Sequence, residues 1–240
     1  AQAAADGAAK LCGAIGDSGE VALIVQDSVP GNARERAEAF RQEIAEGHPG
    51  VSIVETIYMD QLDEMKRQAA AEELGVTSEE LAAWTEAASG LGEGSDSDAE
   101  GETISEEAKT KLEDIDSVAG AMSGEEAAAY YLSKHPELKG CFGTNADAVT
   151  LGLEALRTME QSEEIALVGF DAGKEQLEAL EAGEIDGLVV QNPFGMGYAT
   201  VVAAARTILE IGNEAVVDTG YTWVDKENME DGSVQMMLYE

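Results

Sequence analysis

GEVALIVQDSVPGNARERAEAFRQEIAEG, from Gly19 to Gly47, decides the fold class of this chain. Val21 to Val25 are five consecutive apolar residues, which suits a strand covered on both faces and not one with a wet side. SVPGN then supplies turn chemistry. In the helix that follows, Ala33, Ala37, Phe40 and Ile44 recur every three or four residues and make an inward stripe. Asn32 is expected to cap that helix, Glu35 three residues on closes a capping box, and Gly47 ends it. VSIVETIY, Val51 to Tyr58, returns as a second strand.

The same alternation continues toward the C-terminus. GCFGT (Gly140 to Thr144) reads as a strand, and ADAVTLGLEALRTM as a helix carrying Leu153, Leu156 and Met159. IALVGFD from Ile165 is a strand, KEQLEALEAG a helix ending at Gly183, DGLVVQN a strand, and GMGYATVVAAARTILEIG a long amphipathic helix ending at Gly212. Strands with unbroken apolar runs, alternating with helices, predict an α/β fold: a parallel sheet flanked by helices on both faces. Ligands of such sheets sit outside the carboxyl ends of the strands. Asp27, Tyr58 to Asp60, Asn145, Asp171 and Gln191 fall there, although Asn and Asp also serve there as ordinary helix caps and turn starters.

Charge narrows the partners. Fourteen Lys and Arg against 49 Asp and Glu leave a net charge of −35, which repels phosphate backbones and anionic headgroups and argues against nucleic acid. About 20 of the acidic residues lie between Asp60 and Glu126, beside four basic ones. Purely apolar runs are too short to span a bilayer. Cys12 and Cys141 are too far apart for a zinc or redox motif and receive no role. The sequence starts at Ala1 without a leader or lipidation motif, so it is expected to begin after a cleavage or boundary.

The acidic middle reads as helices at DQLDEMKRQAAAEELG, SEELAAWTEAASG and ISEEAKTKLEDI, with GLGEGSDSDAEGE as a linker. Asp96, Asp98, Glu100, Gly101 and Glu107 occupy positions 1, 3, 5, 6 and 12 of an EF-hand-like calcium loop. The match is partial, because Thr103 stands where an apolar residue belongs and glycines interrupt the entering helix. A solvated helical excursion explains the stretch as well, so no metal site is assigned. Gly16-Asp17-Ser18-Gly19 has the look of a serine-protease nucleophile segment, but it precedes a buried strand and has only His48 and His135 as bases, each beside a proline. No catalytic residue and no cofactor emerges.

Five stretches in this order and spacing carry a resemblance: GEVALIV with NARERAEAF, LSKHPELKGCFGTNADAVTLGLEAL, IALVGFDAG, EAGEIDGLVVQNPFGMGY and WVDKENM. Together they resemble the C-terminal portion of type I periplasmic sugar-binding proteins, the ribose- and galactose-binding-like substrate receptors of ABC importers. The resemblance implies two α/β lobes that close over a mono- or small oligosaccharide and present it, without catalysis, to an ABC transporter permease. By motif, Arg34, Asn145, Asp171 and Gln191 match the sugar-binding positions. It also implies an extracytoplasmic location, with membrane contact only through a lipid anchor or permease of the full-length protein. Residues 1–190 would be the C-terminal lobe, with the insertion at about 62–126. Residues 191–217 would cross to an N-terminal lobe expected before Ala1, and 218–240 would form the hinge return and tail. Without that lobe, sugar affinity is expected to fall well below that of the full protein. The effector domain of a lactose-repressor-type regulator and a sugar-active enzyme are the alternatives.

Overall fold

The computed structural model describes residues 1–29, 31–90 and 104–238. The chain opens with α1 (Gln2–Ala14), β1 (Gly19–Val25), α2 (Asn32–Gly47) and β2 (Val51–Tyr58). After a single 3-10 turn at Met59–Gln61 come α3 (Leu62–Glu73), α4 (Ser78–Gly90), α5 (Glu106–Ala121) and α6 (Gly124–Ser133). β3 (Leu138–Gly143), α7 (Ala146–Thr158), β4 (Ala166–Phe170), α8 (Lys174–Ala182) and β5 (Gly187–Gln191) resume the alternation. α9 (Pro193–Ile208), β6 (Tyr221–Val224) and α10 (Gly232–Gln235) complete it.

All six strands form one sheet in the order β2-β1-β3-β4-β5-β6. β1 to β5 run parallel, as the apolar runs predict. β6 is antiparallel to β5, Leu188 facing Val224 and Gln191 facing Tyr221, which the sequence pattern did not announce. The reason is local. The excursion that leaves β5 returns beside its own exit, where the Asn192 N–H donates to the Gly220 carbonyl at 3.3 Å, so the next strand can only run back. β1 has β2 on one side and β3 on the other, so the sheet has its switch point between the carboxyl ends of β1 and β3.

Side chains of the central strands alternate between two cores. Val21, Leu23 and Val25 pack with Ala8 and Leu11 of α1 and with Ala37 and Phe40 of α2. Ala22 and Ile24 face α6 and α7, where Leu132, Leu153 and Leu156 are buried. Phe142 anchors the first core, its ring 4.5 Å from that of Phe40 and 6.1 Å, edge-on, from that of Phe170. α2 starts differently from expectation. Gly31 is its N-cap, Asn32 is already helical, and no side chain caps it. A full capping box forms instead at Ser123 and Glu126, the start of α6.

Cys12 and Cys141 lie in opposite cores and are free. Burial, with help from Asp17 and Glu43, pushes the Cys12 thiol up to about 11, and burial alone pushes Cys141 up to about 12. Neither is a thiolate at neutral pH. An aromatic disulfide reagent at about pH 8 should label neither thiol in the folded protein and both after denaturation; rapid labelling of the native chain would contradict this burial.

α3, α4 and α5, the described part of the acidic middle, are helical as predicted and share a small core of Ala70, Val76, Leu81, Leu112 and Ile115. Glu72 ties them to α6, accepting from Tyr130 at 2.7 Å and from Lys134 at 2.8 Å. Asp96, Asp98, Glu100 and Gly101 of the calcium-loop pattern lie outside the described residues, and Glu107 lies in α5. Among the described residues no group of three acidic, His or Cys side chains could hold a metal. No helix among them is long and apolar enough to cross a membrane.

α9 is well started, with the Asn192 side chain accepting from the Gly195 N–H at 2.7 Å and Pro193 in its first turn. It ends at Ile208, short of Gly212. None of its residues is buried: Phe194 is 79% exposed, Val201 70% and Ile208 81%.

Candidate functional site

β3, β4 and β5 end side by side, and their exit residues form one hydrogen-bonded strip. Asp171 follows β4 with φ 72°, the left-handed region that Asp tolerates better than most side chains. Its N–H donates to the Val189 carbonyl at 3.1 Å. That turn aims the carboxylate along the sheet edge. One oxygen accepts from Gln191 Nε2 at 2.9 Å, and the other accepts from the Ala146 N–H at 3.2 Å. Asn145, one residue before, caps α7 by accepting from the Ala148 N–H at 3.1 Å. Its capping and binding readings are therefore compatible, since the cap uses the oxygen and leaves the amide N–H groups to donate. Close strand approach behind the strip depends on Gly169, where a Cβ would lie 2.1 Å from a Val149 methyl and 2.8 Å from the Gly143 carbonyl.

Arg36 reaches this strip from α2. It is half-buried, donates to the Thr144 carbonyl at 2.6 Å, and sets its guanidinium 4.0 Å from the centre of the Phe170 ring. Burial lowers its pKa and the charge of Asp171 opposes that shift. Thr144 is fully buried; its hydroxyl accepts from the Gln26 N–H at 3.2 Å, and its own N–H donates to Ile24 at 3.0 Å. The exits of β1 and β3 are thus tied together at the switch point.

An open cleft of about 650 Å³ lies along this edge, lined among others by Asn32, Arg36, Phe170, Gln191, Asp218 and Tyr221. That size suits a small organic ligand. Tyr221 is held by donating its hydroxyl to Asp6. Asn145, Asp171 and Gln191, three of the residues picked out by motif, come together in the hydrogen-bonded strip, and of the three Gln191 lines the cleft. Arg34 does not join them: it is exposed in a neighbouring depression of about 360 Å³ with Ser28, Arg41 and Tyr58. Beside that depression Asp60 accepts from the Ser28 N–H at 3.0 Å and from its hydroxyl at 2.6 Å, which holds the Asp60 carboxyl below the usual range.

Residues 97–213 match the family model described as a periplasmic binding protein domain. They include Asn145, Asp171 and Gln191 together with the strands that present them. The fold is that of a periplasmic binding protein. Solved structures of this fold include an ABC transporter solute-binding protein from Agrobacterium vitis bound with α-D-tagatopyranose, 22% identical, covering 100% of this chain and 60% of that one at a TM-score of 0.66. A carbohydrate transporter solute-binding protein from Agrobacterium radiobacter, in complex with D-arabinose, is 22% identical over 99% of this chain and 63% of its own, also at 0.66. AraP, an arabinose-binding protein from Geobacillus stearothermophilus, is 17% identical over 99% and 63%, at 0.62. This chain therefore spans less than two thirds of the length of these periplasmic binding proteins. No curated protein sequence matches it.

The resemblance read from sequence to sugar-binding proteins of ABC transporters agrees with these neighbours. Arg36 is among the cleft-lining residues that the sequence did not single out, with Phe170, Asp218 and Tyr221. Spacing gave no signal for Arg36, because Arg34 stands three residues before Ala37 of the buried stripe just as Arg36 stands three after Ala33.

Proposed function

We propose that this chain is the ligand-binding lobe of a solute-binding protein of a carbohydrate ABC transporter. It captures a mono- or small oligosaccharide at the carboxyl edge of the sheet and hands it to a permease outside the cytoplasm, without chemical turnover. The observation that carries this reading is the strip of Asn145, Asp171 and Gln191. A carboxylate that accepts hydroxyl protons, flanked by side-chain amides that donate and accept, is the mixture a polyol needs. Arg34, in the adjoining depression, is assigned a contact with the same ligand. Residues 191–217 are read as crossing to a second lobe, a reading supported by the bare apolar side chains of α9.

The test is a thermal-shift panel of D-arabinose, D-tagatose, D-fucose and other pentoses and hexoses, with chromatography of the sugar afterwards. One sugar class should raise the melting temperature by roughly 5–10 °C at about 100 times its Kd. The recovered sugar should be unaltered. A flat panel, or a new product, would sink the reading.

A further inference from the structure

Arg36 makes contacts that no ligand-capturing role by itself explains. Its guanidinium is directed at the Thr144 carbonyl, one residue before Asn145, and lies on the ring of Phe170, one residue before Asp171. Asp171 in turn receives the Ala146 N–H and the Gln191 side chain. One cation thus touches the exits of β3 and β4, which present Asn145 and Asp171, and Asp171 in turn holds Gln191 at the end of β5. Thr144 adds a third connection, since its hydroxyl receives the Gln26 N–H where β1 leaves the sheet.

We infer that Arg36 is a positioning residue of the binding edge: through the Thr144 carbonyl and the Phe170 face it fixes the exits of β3 and β4 that present Asn145 and Asp171, and through Asp171 the side chain of Gln191. The physical basis is the planar fork of the guanidinium, which donates within its plane while its face rests on an aromatic ring. A lysine ammonium could keep the charge and one donor but not the stacked plane. The inference builds on the sugar-binding reading only for the purpose of the positioning, since the contacts themselves are independent of any ligand.

The experiment compares the unmodified chain with Arg36→Met and Arg36→Lys, by backbone hydrogen exchange without sugar and by titration with the pentose or hexose that gives the largest thermal shift. Met retains an apolar stem on Phe170 and removes the donor. In Arg36→Met, exchange at the Gln26 and Ala146 amides should accelerate at least about 10-fold, with core amides of β1, β2 and α7 unchanged, and sugar affinity should fall about 10-fold or more. Arg36→Lys should recover part of both effects. Unchanged exchange at Gln26 and Ala146 would overturn the inference, and so would acceleration spread evenly over the sheet, which marks a purely structural role. Local acceleration in a chain that binds no sugar would uphold the positioning and defeat the transport reading alone.

Discussion

Transfer from about 0.1 M to about 1 M KCl is expected to raise the melting temperature of this protein by roughly 10 °C or more. The cause is the net charge of −35, which the compact state must confine. The cations present do little to relieve it. Lys66, Arg67, Lys109, Lys134, Arg157 and Lys174 each already engage a carboxylate, in pairs that lie at the surface, and many acidic side chains are left over. Salt shortens the Debye length from about 10 Å to about 3 Å over this range. A Coulomb estimate with those lengths puts the relief of the folded chain, relative to the expanded unfolded one, on the order of 10 kcal/mol. Chaotropic and kosmotropic effects are separated by repeating the melt in tetramethylammonium chloride, which should act similarly at equal ionic strength. A melting temperature indifferent to chloride salts would refute the argument.

Asp171→Asn is expected to weaken sugar binding by roughly 100-fold or more, because each hydrogen bond to a charged group is worth about 1.5–3 kcal/mol and, on the proposed reading, this carboxylate would accept from two sugar hydroxyls. Asn is the informative substitution. At φ 72° most side chains would add backbone strain, whereas Asn occupies that region readily, so the change tests the carboxylate and not the turn. Calorimetric titration gives the affinity, and a thermal melt without sugar should move by no more than a few degrees. Equal affinity for both proteins would remove Asp171 from the site.

Most of the architecture was legible because burial on two faces leaves a plain mark. Val21 to Val25 and Ile165 to Phe170 admit no solvent face, and the helices between them carry regular stripes. β6 was not legible, since YTWV is only four residues long and its direction follows from the closeness of Asn192 to Gly220, a tertiary fact. The start of α2 misled for a related reason: Asn32 has the chemistry of a cap, yet it lines the cleft while Gly31 takes the cap position. Asn145, Asp171 and Gln191 stood out because each stands at the carboxyl end of a strand. The two arginines of NARER are two positions apart and point to different sides of one helix, and motif matching alone does not say which faces the sheet.

The way α9 is attached has mechanical meaning. Its segment leaves at Gln191 and re-enters at Tyr221, residues that face each other across β5 and β6. Both ends of this arm are thus rooted at the β5–β6 end of the sheet. The last strand residue before the arm is Gln191, which holds Asp171. On the sugar-binding reading, a ligand held on the strip would lie at the root of that arm.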